Sequence, residues 1–234
     1  MTGDMQTEDE SVSEVNRQPT SVSVNLARGA NRLVVGIARH WVALLTIAWA
    51  MYVLLPIAAP VLMAAGLTTP AYLIYKLYTL FCHQLPDHSY FLFGSGLTPL
   101  AATLEAGGMP SGLNLFQQRL FLGSPELGYK VAICQRDIAI YGSIALAGML
   151  YGLLRNRIHI RPLPFKVFVL LLIPIAVDGL TQLVGLRTSD WFLRSITGIL
   201  FGVATVWLLY PYVEDAMQDV IQTETARELA EGSG

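Results

Sequence analysis

HWVALLTIAWAMYVLLPIAAPVLMAAG, residues 40–66, runs without an acidic side chain, a lysine or an arginine. At about 1.5 Å per helical residue it is long enough to cross a hydrocarbon core of roughly 30 Å. Reading it as a transmembrane helix decides the fold class. Pro56 and Pro60 are expected to kink its second half, which a membrane helix tolerates where neighbours satisfy the freed carbonyls. Three more apolar runs follow, at about 138–154, 165–186 and 191–212. Over the whole chain, 53% of residues are hydrophobic and 14% charged, against roughly 25% charged in a soluble domain. The expected fold is therefore an all-α membrane protein, a four-span transmembrane helical bundle.

Around the spans the chain is polar. Residues 1–39 carry Asp4, Glu8, Asp9, Glu10 and Glu14, are acidic where a signal peptide is basic, and are expected to form a disordered cytoplasmic tail. Residues 67–137 form the outer loop between the first two spans. Its first part, Ala71 to Phe81, has Tyr72, Tyr75 and Tyr78 at three-residue spacing, as in an interfacial helix. A short helix is expected near residues 115–121. Pro125-Glu126 reads as the start of another, running through Lys130 and Cys134 into the second span. Residues 213–234 are an acidic, helix-prone cytoplasmic tail.

Arg28, Arg32 and Arg39 flank the first span, and Arg155, Arg157, Arg161 and Lys166 fill the short loop after the second. With four spans both groups share one side with both termini, and basic residues in short loops mark that side as cytoplasmic. Expected partners are the lipid bilayer and a homo-oligomer, which the GxxxG pairs Gly148/Gly152 and Gly198/Gly202 permit. A net charge of −2 and the lack of any basic, aromatic-interleaved stripe argue against nucleic acid.

The polar residues of the apolar part gather toward the outer end. Cys82-His83 follow the interfacial helix; Cys134, Arg136 and Asp137 open the second span. Asp178 and Gln182 lie in the outer half of the third span, Arg187 in the turn after it, and Arg194 one turn into the fourth. Such groups are costly near lipid and should face the bundle interior as charge partners, Asp178 with Arg194 or Arg136. A buried pair of this kind can also serve only to fix helix register.

Three readings of the two cysteines stand open. A Cys82–Cys134 disulfide would suit an oxidising face and stabilise by about 4 kcal/mol on the chain-entropy account. A metal site would use Cys82, His83, Cys134 and Asp178, with zinc, copper or iron as the matching ions. Thiol–disulfide exchange would require a lowered thiol pKa. Ser89, Ser95 and Ser111 lie in no nucleophile elbow, and no nucleophile–base pair is legible.

The runs Cys-His-Gln-x-Pro-x-x-Ser-x-Phe at 82–91, Cys-x-Arg-Asp at 134–137 followed by Tyr141-Gly142, and Asp178-Gly179-x-Thr181-Gln182 followed by Arg187, Ser189 and Arg194 carry a resemblance. They resemble the "domain of unknown function 2085" family of predicted prokaryotic membrane proteins, over roughly residues 70–212. This chain has His88 where family members often carry Arg or Lys, and Asp137 where another common form has a second Cys. The resemblance implies a membrane location and a shared polar motif, and no reaction. The best functional reading is a metal ion or small polar ligand bound in an outer-facing pocket. The alternatives are a membrane thiol–disulfide oxidoreductase and a non-catalytic scaffold or assembly subunit.

Overall fold

The computed structural model describes residues 21–187 and 189–232. Four helices in it are long and apolar enough to cross a membrane: α1 (Ser21–Ala64), α5 (Gln135–Leu154), α6 (Phe165–Leu183) and α7 (Trp191–Gly232). Their outward faces carry Leu44, Leu54, Leu146, Leu150, Leu170, Ile173, Leu180 and Ile199, all exposed, as contact with hydrocarbon demands. The chain is an all-α membrane protein in its spanning part, with α5 packed between α1 and α7 and α6 lying on α7.

Between α1 and α5 come α2 (Thr68–Tyr78), a 3₁₀ turn at Pro86–His88, β1 (Ser89–Leu92), α3 (Ala101–Ala106), α4 (Leu115–Gln118), β2 (Gly123–Ser124) and β3 (Gly128–Cys134). The three strands form an antiparallel sheet in the order β1-β3-β2, with Ser89 opposite Cys134 and Phe91 opposite Lys130. This corrects one expectation. Pro125-Glu126 sits in the turn between β2 and β3, and the predicted helix through Lys130 is a strand. Residues 129–133 (Tyr-Lys-Val-Ala-Ile) form a short apolar run that periodicity cannot assign. Strand partners on both sides settle the choice, and Gly128, at φ +86°, makes the close approach to Gly94 that the turn requires.

A second correction concerns the expected tail, 1–39. It is helical from Ser21; residues 1–20 lie outside the described residues. At about 1.5 Å per residue, α1 with 44 residues and α7 with 42 far exceed a bilayer's thickness. Both extend past the same end of the bundle. There Arg155 donates to Glu214 at 2.5 Å and to the Arg39 carbonyl at 3.3 Å, and Trp41 Nε1 donates to Glu214 at 2.9 Å. A cavity of about 720 Å³ opens between the two extensions, lined by Arg28, Arg32, Arg39, His40, Thr225 and Glu228.

The glycine pairs are used inside the chain. A Cβ on Gly148 would meet Thr46 and Tyr210, and one on Gly152 would meet Val42; Gly198 and Gly202 abut Arg136, Ala139, Ile140 and Ser143 of α5. Both GxxxG faces are thereby occupied by α1–α5 and α5–α7 contacts.

Candidate functional site

The site lies at the end of the bundle opposite Arg155 and Glu214, where β3 turns into α5. The chain leaves α2 through a turn and reverses at Gln84, whose φ of +53° is rare for a side chain other than Gly. Gln84 is held there by its buried amide, which donates to the Tyr75 carbonyl at 2.9 Å. The reversal brings Cys82 beneath the end of β3. Cys82 Sγ accepts the backbone N–H of Gln84 at 3.5 Å and that of Cys134 at 3.3 Å. Cys134 is the N-cap of α5, its sulfur accepting the Asp137 N–H at 3.4 Å. A cap accepts from the N3 amide, so the capping geometry itself carries the Asp137 side chain toward the thiols.

The donor atoms of Cys82, Cys134 and Asp137 all lie within 4.8 Å of one another. Both thiols are free. A hydrogen bond from the Cys134 thiol, with the two backbone N–H donors, holds the Cys82 pKa below its ordinary value despite burial. Cys134 moves the other way, raised by donating to Cys82 and by its own burial. Burial also lowers His88.

The site differs from the expected ligand set in two members. His83 is exposed and not among the converging donors, since adjacent residues diverge even through this turn. Asp178 is 1% exposed, but its oxygens are taken by Arg136 Nη2 at 2.5 Å and Arg187 Nη2 at 2.7 Å. Asp137 stands with the cysteines instead. Its position three residues after Cys134 in a helix was the available signal. Arg136 also donates to Gln182 Oε1 at 3.2 Å, and the Gln182 amide lies 3.2 Å from His88 Nε2. Arg194 pairs with neither Asp178 nor any other carboxylate within 4.0 Å among the described residues. Its Nη1 donates to Gln135 Oε1 at 3.3 Å and to the Asp87 carbonyl at 3.5 Å.

A cavity of about 560 Å³ opens over the cluster, lined among others by Cys82, His83, His88, Arg136, Asp137 and Arg194. The donor set fits a borderline-soft ion. Ligands around a tetrahedral zinc at about 2.0–2.3 Å lie roughly 3.3–3.8 Å apart, so separations within 4.8 Å need only a rotamer-scale closing. Two thiolates and a carboxylate would leave a fourth position open toward the cavity.

Lys130, on β3, was not singled out by the sequence reading. It is fully buried, with Nζ donating to the Gln84 carbonyl at 2.8 Å and the Arg119 carbonyl at 2.6 Å. It therefore pins the Cys82–Gln84 turn to the sheet. Burial lowers its pKa from 10.5 to about 7. Between those values the unfolded chain holds a proton that the folded chain has released, so the lysine's contribution to stability rises with pH. From pH 7 to 9 the stability of the wild type should gain about 2 kcal/mol relative to Lys130→Met, read by thermal unfolding in one detergent. Parallel pH profiles would contradict this.

Residues 126–208 match the family described as predicted membrane protein, domain of unknown function 2085. That match contains Cys134, Arg136, Asp137, Asp178 and Arg194 but stops short of Cys82. An uncharacterised protein of Methanocaldococcus jannaschii is 30% identical over 139 residues, 59% of this chain and 67% of that protein. No solved structure matches the chain.

Proposed function

The chain belongs to the domain of unknown function 2085 family of predicted membrane proteins, and we propose that this member binds one zinc-class metal ion through Cys82, Cys134 and Asp137. One observation carries the reading: donor atoms from two separate segments of the chain, Cys82 and the Cys134–Asp137 turn, lie within 4.8 Å of one another, beside a cavity. The α5 cap already places Asp137 beside Cys134, so the convergence that supports the reading is that of Cys82, 52 positions earlier, on this turn. When bound, such an ion supplies a Lewis acid whose fourth position can take water or a ligand group. The chain's own residues do the rest. The backbone N–H groups of Gln84 and Cys134 hold Cys82 toward the thiolate, and the α5 N-terminus favours negative charge on Cys134 and Asp137.

The cavity opens on the non-cytoplasmic side in this reading, both termini being cytoplasmic. The support is the collection of Arg28, Arg32, Arg39, Arg155, Arg157, Arg161 and Lys166 toward the other end. A C-terminal alkaline phosphatase fusion should be inactive in cells and a green fluorescent protein fusion bright; the reverse pattern would overturn this orientation.

A second reading, thiol–disulfide exchange, draws support from the lowered pKa of Cys82 beside a second free thiol. Metal content and thiol state, measured on one native preparation, separate the two. The metal reading expects about one zinc-class ion per chain and two alkylatable thiols after chelation. A Cys82–Cys134 bridge that opens with reductant, in protein carrying no metal, would overturn it in favour of exchange.

A further inference from the structure

We infer that the cavity above the cluster receives a small organic oxyanion, a carboxylate or an acid ester, held by the guanidinium of Arg194 with Arg136 beside it. The inference rests on the metal reading, in which Asp137 is engaged as a ligand and is not a counter-ion for these cations. Three guanidiniums, Arg136, Arg187 and Arg194, stand at this end of the bundle with one buried carboxylate between them. Asp178 is shared by the first two. Arg194, only 5% exposed, faces the cavity with both of its hydrogen bonds on a single nitrogen and both to neutral oxygens at 3.3 and 3.5 Å. Asp87, whose carbonyl takes one of these bonds, turns its half-exposed carboxylate to His88 at 3.3 Å, so it attracts Arg194 without pairing with it. Arg136, which lines the same cavity, has a buried Nε with no hydrogen-bond partner.

A guanidinium offers five N–H donors in a planar fork that matches an oxyanion in bidentate fashion. Burying such a group without a directly paired carboxylate is costly, and a bound anion offsets that cost. Gln182 and His88 add polar groups on the same wall. The volume, about 560 Å³, falls within the roughly 300–1,000 Å³ of small-molecule sites and exceeds what an inorganic anion fills. Cys82, Cys134, Asp137 and Arg194 line one space, so one molecule could meet both an ion held by the first three and the Arg194 fork.

The test is isothermal titration of the full chain in nanodiscs, zinc-loaded and metal-free, with succinate and with inorganic sulfate as probes. Succinate is expected to bind saturably at one per chain, more tightly than sulfate and more tightly with zinc present. Arg194→Gln should weaken it at least ~10-fold, the scale of one lost charge-assisted contact, with zinc content unchanged. Arg194→Lys keeps the charge and should recover binding only in part; it serves as the reporter if Arg194→Gln does not fold. Sulfate binding as tightly as succinate would overturn the organic ligand and leave an inorganic-anion site. Binding of neither probe, or equal binding by wild type and both variants, would overturn the inference outright. Failure of the metal reading shows separately, as zinc content near zero; the Arg194 comparison on metal-free protein then still decides the anion site.

Discussion

Asp178→Ala should cost about 3–5 kcal/mol of stability, the range for removing one partner of a buried ion pair. Asp178 is the one buried residue within α6. Its two oxygens accept from Arg136 on α5 and from Arg187 in the turn beyond α6, and Arg187 Nε donates in addition to Thr181 Oγ1 at 2.9 Å. Most of the rest of α6 presents apolar side chains outward, and its inner packing is through Phe168 and Leu171, which with Leu163 just before the helix meet Ala204 and Leu208 of α7 near the opposite end. Without the carboxylate, two guanidiniums face each other at 23% and 41% side-chain exposure. The site end of α6 then keeps the Arg136–Gln182 hydrogen bond to α5 but loses its ion pair. Asp178→Asn keeps the shape and one acceptor, so it should fall between. The Asp178→Ala, Arg187→Ala double variant should regain part of the loss, because it removes a cation that the single variant strands. Thermal unfolding in detergent reads all three. A loss below about 1 kcal/mol would make the triad no stronger than a surface pair.

The second large effect is on metal binding. Cys82→Ala or Cys134→Ala should weaken zinc at least ~100-fold, beyond the 10–100-fold typical of outer partners, and Asp137→Asn should weaken it less. His83→Ala and Asp178→Asn should leave zinc stoichiometry unchanged, since neither side chain joins the converging donors. Competition with a chelator of known affinity measures this directly. Cys134 also caps α5, so Cys134→Ser, which can still accept the Asp137 N–H, separates loss of the cap from loss of the ligand.

Much of this was legible in the sequence, for identifiable physical reasons. The spanning helices announce themselves because a lipid-facing helix must be largely apolar along its length, which residues 40–66 are and which 165–183 are apart from Lys166, Asp178, Thr181 and Gln182. The gathering of Cys82, Cys134, Arg136, Asp178 and Arg194 at one end followed from counting residues along antiparallel spans. The pairings did not follow. Arg194 reaches Gln135 and not Asp178, and Asp137 replaces Asp178 beside the sulfurs, because those choices depend on helix rotation. The sheet was also hidden. Its strands are short, and β3 earns its form from β1 and β2 on either side, while Gly128-Tyr129-Lys130 alone reads equally well as the start of a helix. A buried lysine inside a strand leaves no sequence signal at all; only the carbonyls of Gln84 and Arg119 explain Lys130.

The most direct measurement is zinc K-edge X-ray absorption on the zinc-loaded chain in a lipid nanodisc. The account predicts two sulfur scatterers at about 2.3 Å and oxygen or nitrogen at about 2.0–2.2 Å, with the sulfur shell reduced by one in Cys82→Ala. Zinc bound with no sulfur neighbour, or no zinc retained by folded wild-type protein, would contradict it.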